Sequence, residues 1–142
     1  MRPMLVDADV LIDIATRDPR WCDWSLAALR RAGQGARLVI NPLIHAEVSL
    51  AYRRIEALQA ALPEGVFHRE PLPWAAGFLA GKAFLNHCRR AGDRRPSWPD
   101  LHIGAHAALR GYRLLTRERG RYADWFPRLE IIAPDQGLGD PH

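Results

Sequence analysis

Short apolar runs alternate with longer stretches of helical period along this chain, and no other feature restricts its fold as tightly. Met4 to Val6, Arg37 to Ile40, Tyr112 to Leu115 and Leu129 to Ala133 read as strands, with a further short candidate at Val66 to His68. A helix or turn begins near Asp9, and Arg20 to Ala32 is predicted helical up to a stop at Gly33. In NPLIHAEVSLAYRRIEAL, Asn41 is the N-cap and Pro42 the first helical residue. Ile44, Val48, Ala51, Ile55 and Leu58 then mark one amphipathic helix. Trp74 to Ala91 is also helical, Gly92 to Pro96 is a basic loop, and SWPDLHIGAHAALRG is a tightly packed helix from the Ser97 cap to Gly111. This alternation implies an α/β domain with a central, mostly parallel sheet flanked by helices on both faces.

The 142 residues suit a single domain spanning 1–142, able to bury a core without disulfides. Cys22 and Cys88 lack any ligand spacing and read as apolar fillers, which fits a reducing cytoplasm. The apolar start is interrupted by Asp7, Asp9 and Asp13, so it predicts neither a signal peptide nor a membrane span. The formal charge is +4 and Lys82 is the only lysine, so an arginine-rich surface permits a polyanionic partner such as nucleic acid.

In a parallel sheet, ligands bind beyond the carboxyl ends of the strands, so acids at those ends carry the functional interest. Asp7 follows the first strand directly, and alone it would read as a turn or cap residue. Asp9 is an N-cap candidate and Asp13 a structural one. Glu47 lies among Leu43, Leu50 and Ala51, where an ionised carboxylate needs an arginine or a site to belong to. Asp100 completes a capping box with Ser97 and is carried by a helix start toward the strand ends. Glu118 falls just past a strand in TRERGR, where a solvated charge run is the plain explanation. Together Asp7, Glu47, Asp100 and Glu118 converge on one rim of the sheet, where they repel one another unless a cation neutralises them. All-oxygen ligands select a hard ion, Mg2+ or Mn2+, able to activate water for in-line attack on a phosphate. His102 and His106 have zinc-pair spacing but no third ligand, so they read as core or solvated residues. There is no glycine-rich phosphate loop and no serine nucleophile turn.

With these residues laid out, the sequence resembles the PIN-domain ribonucleases, and specifically the VapC-type toxins of bacterial toxin-antitoxin pairs. LVDADVLID, INPLIHAEV, PDLHIGAHAALRGYRLLTRERGRY and FPRLEIIAP carry the match, in the family's order. The resemblance implies a PIN-like three-layer fold and a Mg2+- or Mn2+-dependent endoribonuclease. It assigns Asp7, Glu47 and Asp100 to the metal-holding acids and Glu118 to the fourth, where the family commonly has the shorter aspartate and where a water-mediated contact would serve. Asp9, at a position often Asn or Ser in the family, becomes an extra ligand or a supporting group, and Thr116 orients a carboxylate or water. It also implies an RNA substrate, a cognate antitoxin and a homodimer. Arg94, Arg95, Arg117 and Arg119, with Arg89, Arg90 and Arg121, then gain a role in holding RNA phosphates from loops. Trp21, Trp24 and the nearby apolar face either receive an antitoxin segment or pack inside.

Two other functions fit parts of this pattern. A stand-alone RNA-processing PIN nuclease keeps the site without the antitoxin. A Mg2+-binding regulatory module of receiver type also places acids at strand ends, but the chain lacks an adjacent acidic pair after the first strand and a lysine after the last.

Overall fold

A computed structural model describes residues 2–91 and 95–134. Five short strands, β1 (Met4–Val6), β2 (Leu38–Ile40), β3 (Phe67–Arg69), β4 (Arg113–Leu115) and β5 (Ile131–Ile132), form one parallel sheet in the order β3-β2-β1-β4-β5. All residues of β1 and β2 are buried, as expected of parallel strands covered on both faces.

The helices are α1 (Ala8–Ala15), α2 (Cys22–Gly35), α3 (Pro42–Val48), α4 (Ile55–Ala61), α5 (Trp74–Ala91), α6 (Trp98–Arg110) and α7 (Arg119–Trp125). The segments from α1 to α4 carry the chain outward from β1 to β3, while α5 and α6 return it to β4. Right-handed crossovers in the two directions put the groups on opposite faces, giving three layers. In keeping with this, α1 packs on α2 and α3, whereas α5 packs on α6 and α7. The direction of winding reverses between β1 and β4, which is where a doubly wound sheet opens a crevice at its carboxyl edge.

Several expectations need correction. The single helix expected from Asn41 to Leu58 is interrupted: α3 ends at Val48, a 3-10 turn covers Ser49–Ala51, and Tyr52 and Arg54 are extended before α4 begins. The Ser49 hydroxyl donates to the His45 carbonyl at 2.8 Å, a competing bond of the kind that bends helices. Beyond this break Ile55 is exposed, so the 3–4 spacing there marks no continuous buried face. Gly33 does not stop α2, which runs on to Gly35, and Leu38 fits against the bare Gly33 backbone. The α1 cap is Asp7 rather than Asp9. Finally, Arg119 and Arg121, expected in a loop, belong to α7, which is anchored by buried Tyr122 and Trp125. The Asn41, Ser97 and Gly111 signals act as predicted, Gly111 in the left-handed conformation at φ 70°.

Candidate metal centre

Asp7 leaves β1 at the winding reversal and has two local tasks. Its Oδ1 accepts from the Ala8 N–H at 2.8 Å, capping α1, while its Oδ2 accepts from the Thr116 hydroxyl at 2.8 Å and the Tyr122 hydroxyl at 2.9 Å. Thr116 is beside it because β1 and β4 pair with Val6 opposite Leu115, and the Asp7 N–H continues the ladder to the Leu115 carbonyl at 2.9 Å. Glu47 approaches from α3, which Asn41 starts by accepting from the Ile44 N–H at 3.0 Å. Asp100 comes from the first turn of α6, where its N–H donates to Ser97 Oγ at 3.4 Å. Its carboxylate turns inward, so the expected capping box is only half made. Asp7, Glu47 and Asp100 each bring a carboxylate oxygen to within 4.8 Å of the others.

Burial and mutual repulsion dominate the electrostatics. Burial raises the Asp7 carboxyl above its ordinary value, against the hydroxyls of Thr116 and Tyr122, and Asp100 raises it further. Glu47 is pushed up to about 7 by burial and then by the charges of Asp7 and Asp100. Asp9 rises to about 8, first through burial and then through Asp7. Arg121 supplies some compensation, with Nη1 2.8 Å from Asp100 Oδ2 and Nη2 3.9 Å from Glu118 Oε1. Even so, Glu47 Oε1 and Asp9 Oδ1 are buried without a hydrogen-bond partner. A buried acceptor with no donor, beside two more carboxylates, is the deficit that a cation corrects, and an all-oxygen set suits a hard divalent one.

The other predicted residues divide. Asp9, two residues after Asp7, is not one of the three clustered carboxylates; its Oδ2 accepts from the Arg117 N–H at 3.1 Å and lies 3.2 Å from Thr116 Oγ1, whose single proton goes to the nearer Asp7 Oδ2. Glu118 is half exposed and stands apart from the three clustered carboxylates, with its own N–H donating to Thr116 Oγ1 at 3.1 Å. Arg117 does not reach outward as a phosphate-holding side chain: its Nε is 2.6 Å from Asp13 Oδ2 and its guanidinium lies 5.1 Å over the Trp21 ring. Asp13 is buried and also accepts from Ser25 Oγ at 2.8 Å, so this pair braces α1 against α2 and the turn after β4. Arg90 pairs with Asp124 at 3.0 Å. Arg95 is exposed and 6.0 Å over the Phe84 ring, and Arg119 and Arg121 sit on α7 rather than in a loop. Arg94 lies outside the described residues.

Tyr122 escaped the sequence reading altogether. Its fully buried hydroxyl is 2.9 Å from Asp7 and 3.4 Å from Asp100, and its ring fits against Gly104, where an added Cβ would lie 3.0 Å from Tyr122 Cδ1. The small residues of α6 and two aromatics three apart after TRERG were the available signals.

An acid trio at the reversal of a parallel sheet agrees with the comparison to known families. The PIN domain family model matches residues 4–124. The chain belongs to the PIN-domain family. PIN domains are generally nucleases and usually use a divalent metal. The same fold occurs in VapBC2 from Rickettsia felis, solved bound to a DNA fragment from its promoter, with TM-score 0.70 and 16% identity over 93% of this chain and 98% of that one. FitAcB from Neisseria gonorrhoeae matches with TM-score 0.64 and 16% identity over 91% and 96% of the two chains. FitAB bound to an IR36 DNA fragment matches at 0.66 and 13% identity over 92% and 94%. No curated protein matches by sequence.

Proposed function

We propose that this PIN domain is a divalent-metal-dependent endoribonuclease and the toxin of a toxin-antitoxin pair. The observation that carries the reading is the trio of buried Asp7, part-buried Glu47 and buried Asp100, with a buried Glu47 oxygen that no protein donor satisfies. These three residues would hold Mg2+ or Mn2+, with Glu118 contributing from the rim through water. The ion would activate water and offset charge on the phosphate under attack. Asp7 is fixed by Thr116 and Tyr122, and Asp100 by Arg121, so these two acids are oriented before any substrate arrives. Among the described residues, Arg89, Arg95 and Arg119 are available to hold RNA phosphates, and Arg121 joins them when it turns from Asp100.

The toxin assignment rests on the VapC-type resemblance and on a fold shared with VapBC2 and FitAB. An antitoxin segment has a place to dock: an apolar groove between α1, α2 and α4, lined by Leu11, Ile14, Leu29, Tyr52, Leu62 and Phe67. Trp21 and Trp24 are half-buried, Trp24 against the core, so the groove rather than the tryptophans offers the open face. For the homodimer, Trp74 at 97% exposure with Phe78 and Leu85 forms a stripe on α5 that a second copy would cover. No described helix is long and apolar enough to cross a membrane, and the proposed setting is the cytoplasm, where the RNA is.

The test is to load the purified chain with Mn2+, free of antitoxin, and sequence the RNA ends it makes from total cellular RNA. Discrete ends that vanish with EDTA support the nuclease, and an uncut pool overturns it. A small neighbouring gene whose product silences the activity supports the toxin, and its absence favours a stand-alone processing nuclease.

A further inference from the structure

The hydroxyls around Asp7 do more than hold it in place. A carboxylate oxygen has about two lone-pair sites. Asp7 Oδ2 already accepts from Thr116 Oγ1 at 2.8 Å and Tyr122 Oη at 2.9 Å, so it is saturated, whereas Oδ1 accepts only from the Ala8 N–H at 2.8 Å. Neither hydroxyl is free to drift away. Thr116 is fully buried and its oxygen is held by the Glu118 N–H at 3.1 Å. The Tyr122 ring is wedged between Gly104 and the edge of Trp125, whose centroid lies 5.8 Å away at 82°. The single Tyr122 proton goes to the nearer Asp7, which leaves Asp100 Oδ1, at 3.4 Å, open.

We propose that Thr116 and Tyr122 are positioning residues that restrict Asp7 to one coordinating oxygen and thereby set the centre for Mg2+ or Mn2+ against Ca2+. The chemistry follows from ion size: Ca2+ accepts six to eight oxygens and is well served by a two-oxygen carboxylate, while Mg2+ needs a compact octahedron that takes one oxygen from each acid. The inference rests on the reading of the acid trio as a divalent-ion site. It concerns which ion the site prefers, not whether RNA is cut.

The experiment is titration calorimetry of the whole chain with MgCl2, MnCl2 or CaCl2 alone, for the wild type, Tyr122→Phe and Thr116→Val. The expected result is a preference for Mn2+ over Ca2+ in the wild type. In Tyr122→Phe, Mn2+ affinity falls about tenfold while Ca2+ affinity holds within about twofold or tightens, so the Mn2+/Ca2+ ratio collapses. A hydroxyl that only supports the fold leaves this ratio unchanged, and that result, with both affinities moving together or neither moving, overturns the proposal. Tyr122→Phe keeps the ring in its socket, and melting in EDTA checks its folding. Should it fail to fold, Thr116→Val carries the same expected change of ratio. A wild type that binds none of the three ions overturns the metal centre itself, and this proposal with it.

Discussion

Two buried polar clusters hang from α6, and they follow opposite rules. Around His106, groups pair off: Nδ1 accepts from the Asn41 amide at 3.0 Å, Nε2 donates to Glu70 Oε2 at 2.7 Å, and the Tyr112 hydroxyl donates to Glu70 Oε1 at 2.8 Å. Around Asp100, carboxylates crowd within 4.8 Å and oxygens of Glu47 and Asp9 go without donors. Completed pairing rigidifies a core, whereas a deficit held in place by the fold is unfavourable unless a ligand answers it. The difference separates structure from function within one helix: His106 was a zinc candidate by spacing alone, and its satisfied ring explains it as core.

The largest effect expected from breaking this contrast is on the side of the deficit. Asp7→Asn and Asp100→Asn each remove a ligand and a repulsive charge, so RNA cleavage should fall to background while melting in EDTA stays level or rises. Next is the satisfied side. His106→Ala leaves a cavity and strands Asn41 and Glu70, which should cost about 2–4 kcal/mol in chemical denaturation without changing the cleavage rate of the folded fraction. A smaller loss, about 1–3 kcal/mol by overpacking, is expected for Gly104→Ala, whose Cβ would stand 2.6 Å from Phe126 Cε2 and 3.0 Å from Tyr122 Cδ1. Because that shift moves Tyr122, Gly104→Ala should also weaken Mn2+ binding, which His106→Ala should not.

How much of this was legible in the sequence follows from how local each signal is. Asp7, Glu47 and Asp100 could be found because each stands at a strand end or on a well-signalled helix, and parallel topology brings those places together. The break after Val48 was hidden because Ala51, Ile55 and Leu58 prolong the 3–4 spacing although Tyr52 leaves the helix. Helix α7 was hidden for the opposite reason: two aromatics among Arg119, Gly120, Arg121 and Asp124 make no apolar period, and its place depends on a socket at Gly104 distant in sequence. Arg117 read as a surface arginine because its partner Asp13 lies about a hundred positions away, a pairing only the fold makes.

The two clusters should also respond to pH in opposite directions, and this is the subtlest way to tell them apart. In the metal-free protein the Glu47 carboxyl is raised from 4.5 to about 7, chiefly by burial. A carboxyl that binds its proton more tightly when folded contributes stability that is present below pH 4.5 and lost as pH rises through its folded value. Asp9, raised to about 8, extends the loss upward. The His106 ring is lowered from 6.5 by burial, so its contribution is full above pH 6.5 and lost as pH falls through its folded value. Glu70, where hydrogen bonds from Tyr112 and His106 outweigh burial, lies below 4.5 and adds to the loss on the acid side. Melting in EDTA should therefore fall as pH is raised from about 5 to about 8 through Glu47 and Asp9, and Glu47→Gln should flatten that limb while leaving the acid limb unchanged. Mn2+ should restore the lost stability by an amount that grows with pH over the same interval, because the ion binds the deprotonated carboxylates. A Mn2+ effect on melting that is constant across this interval would place the ion elsewhere than on these residues.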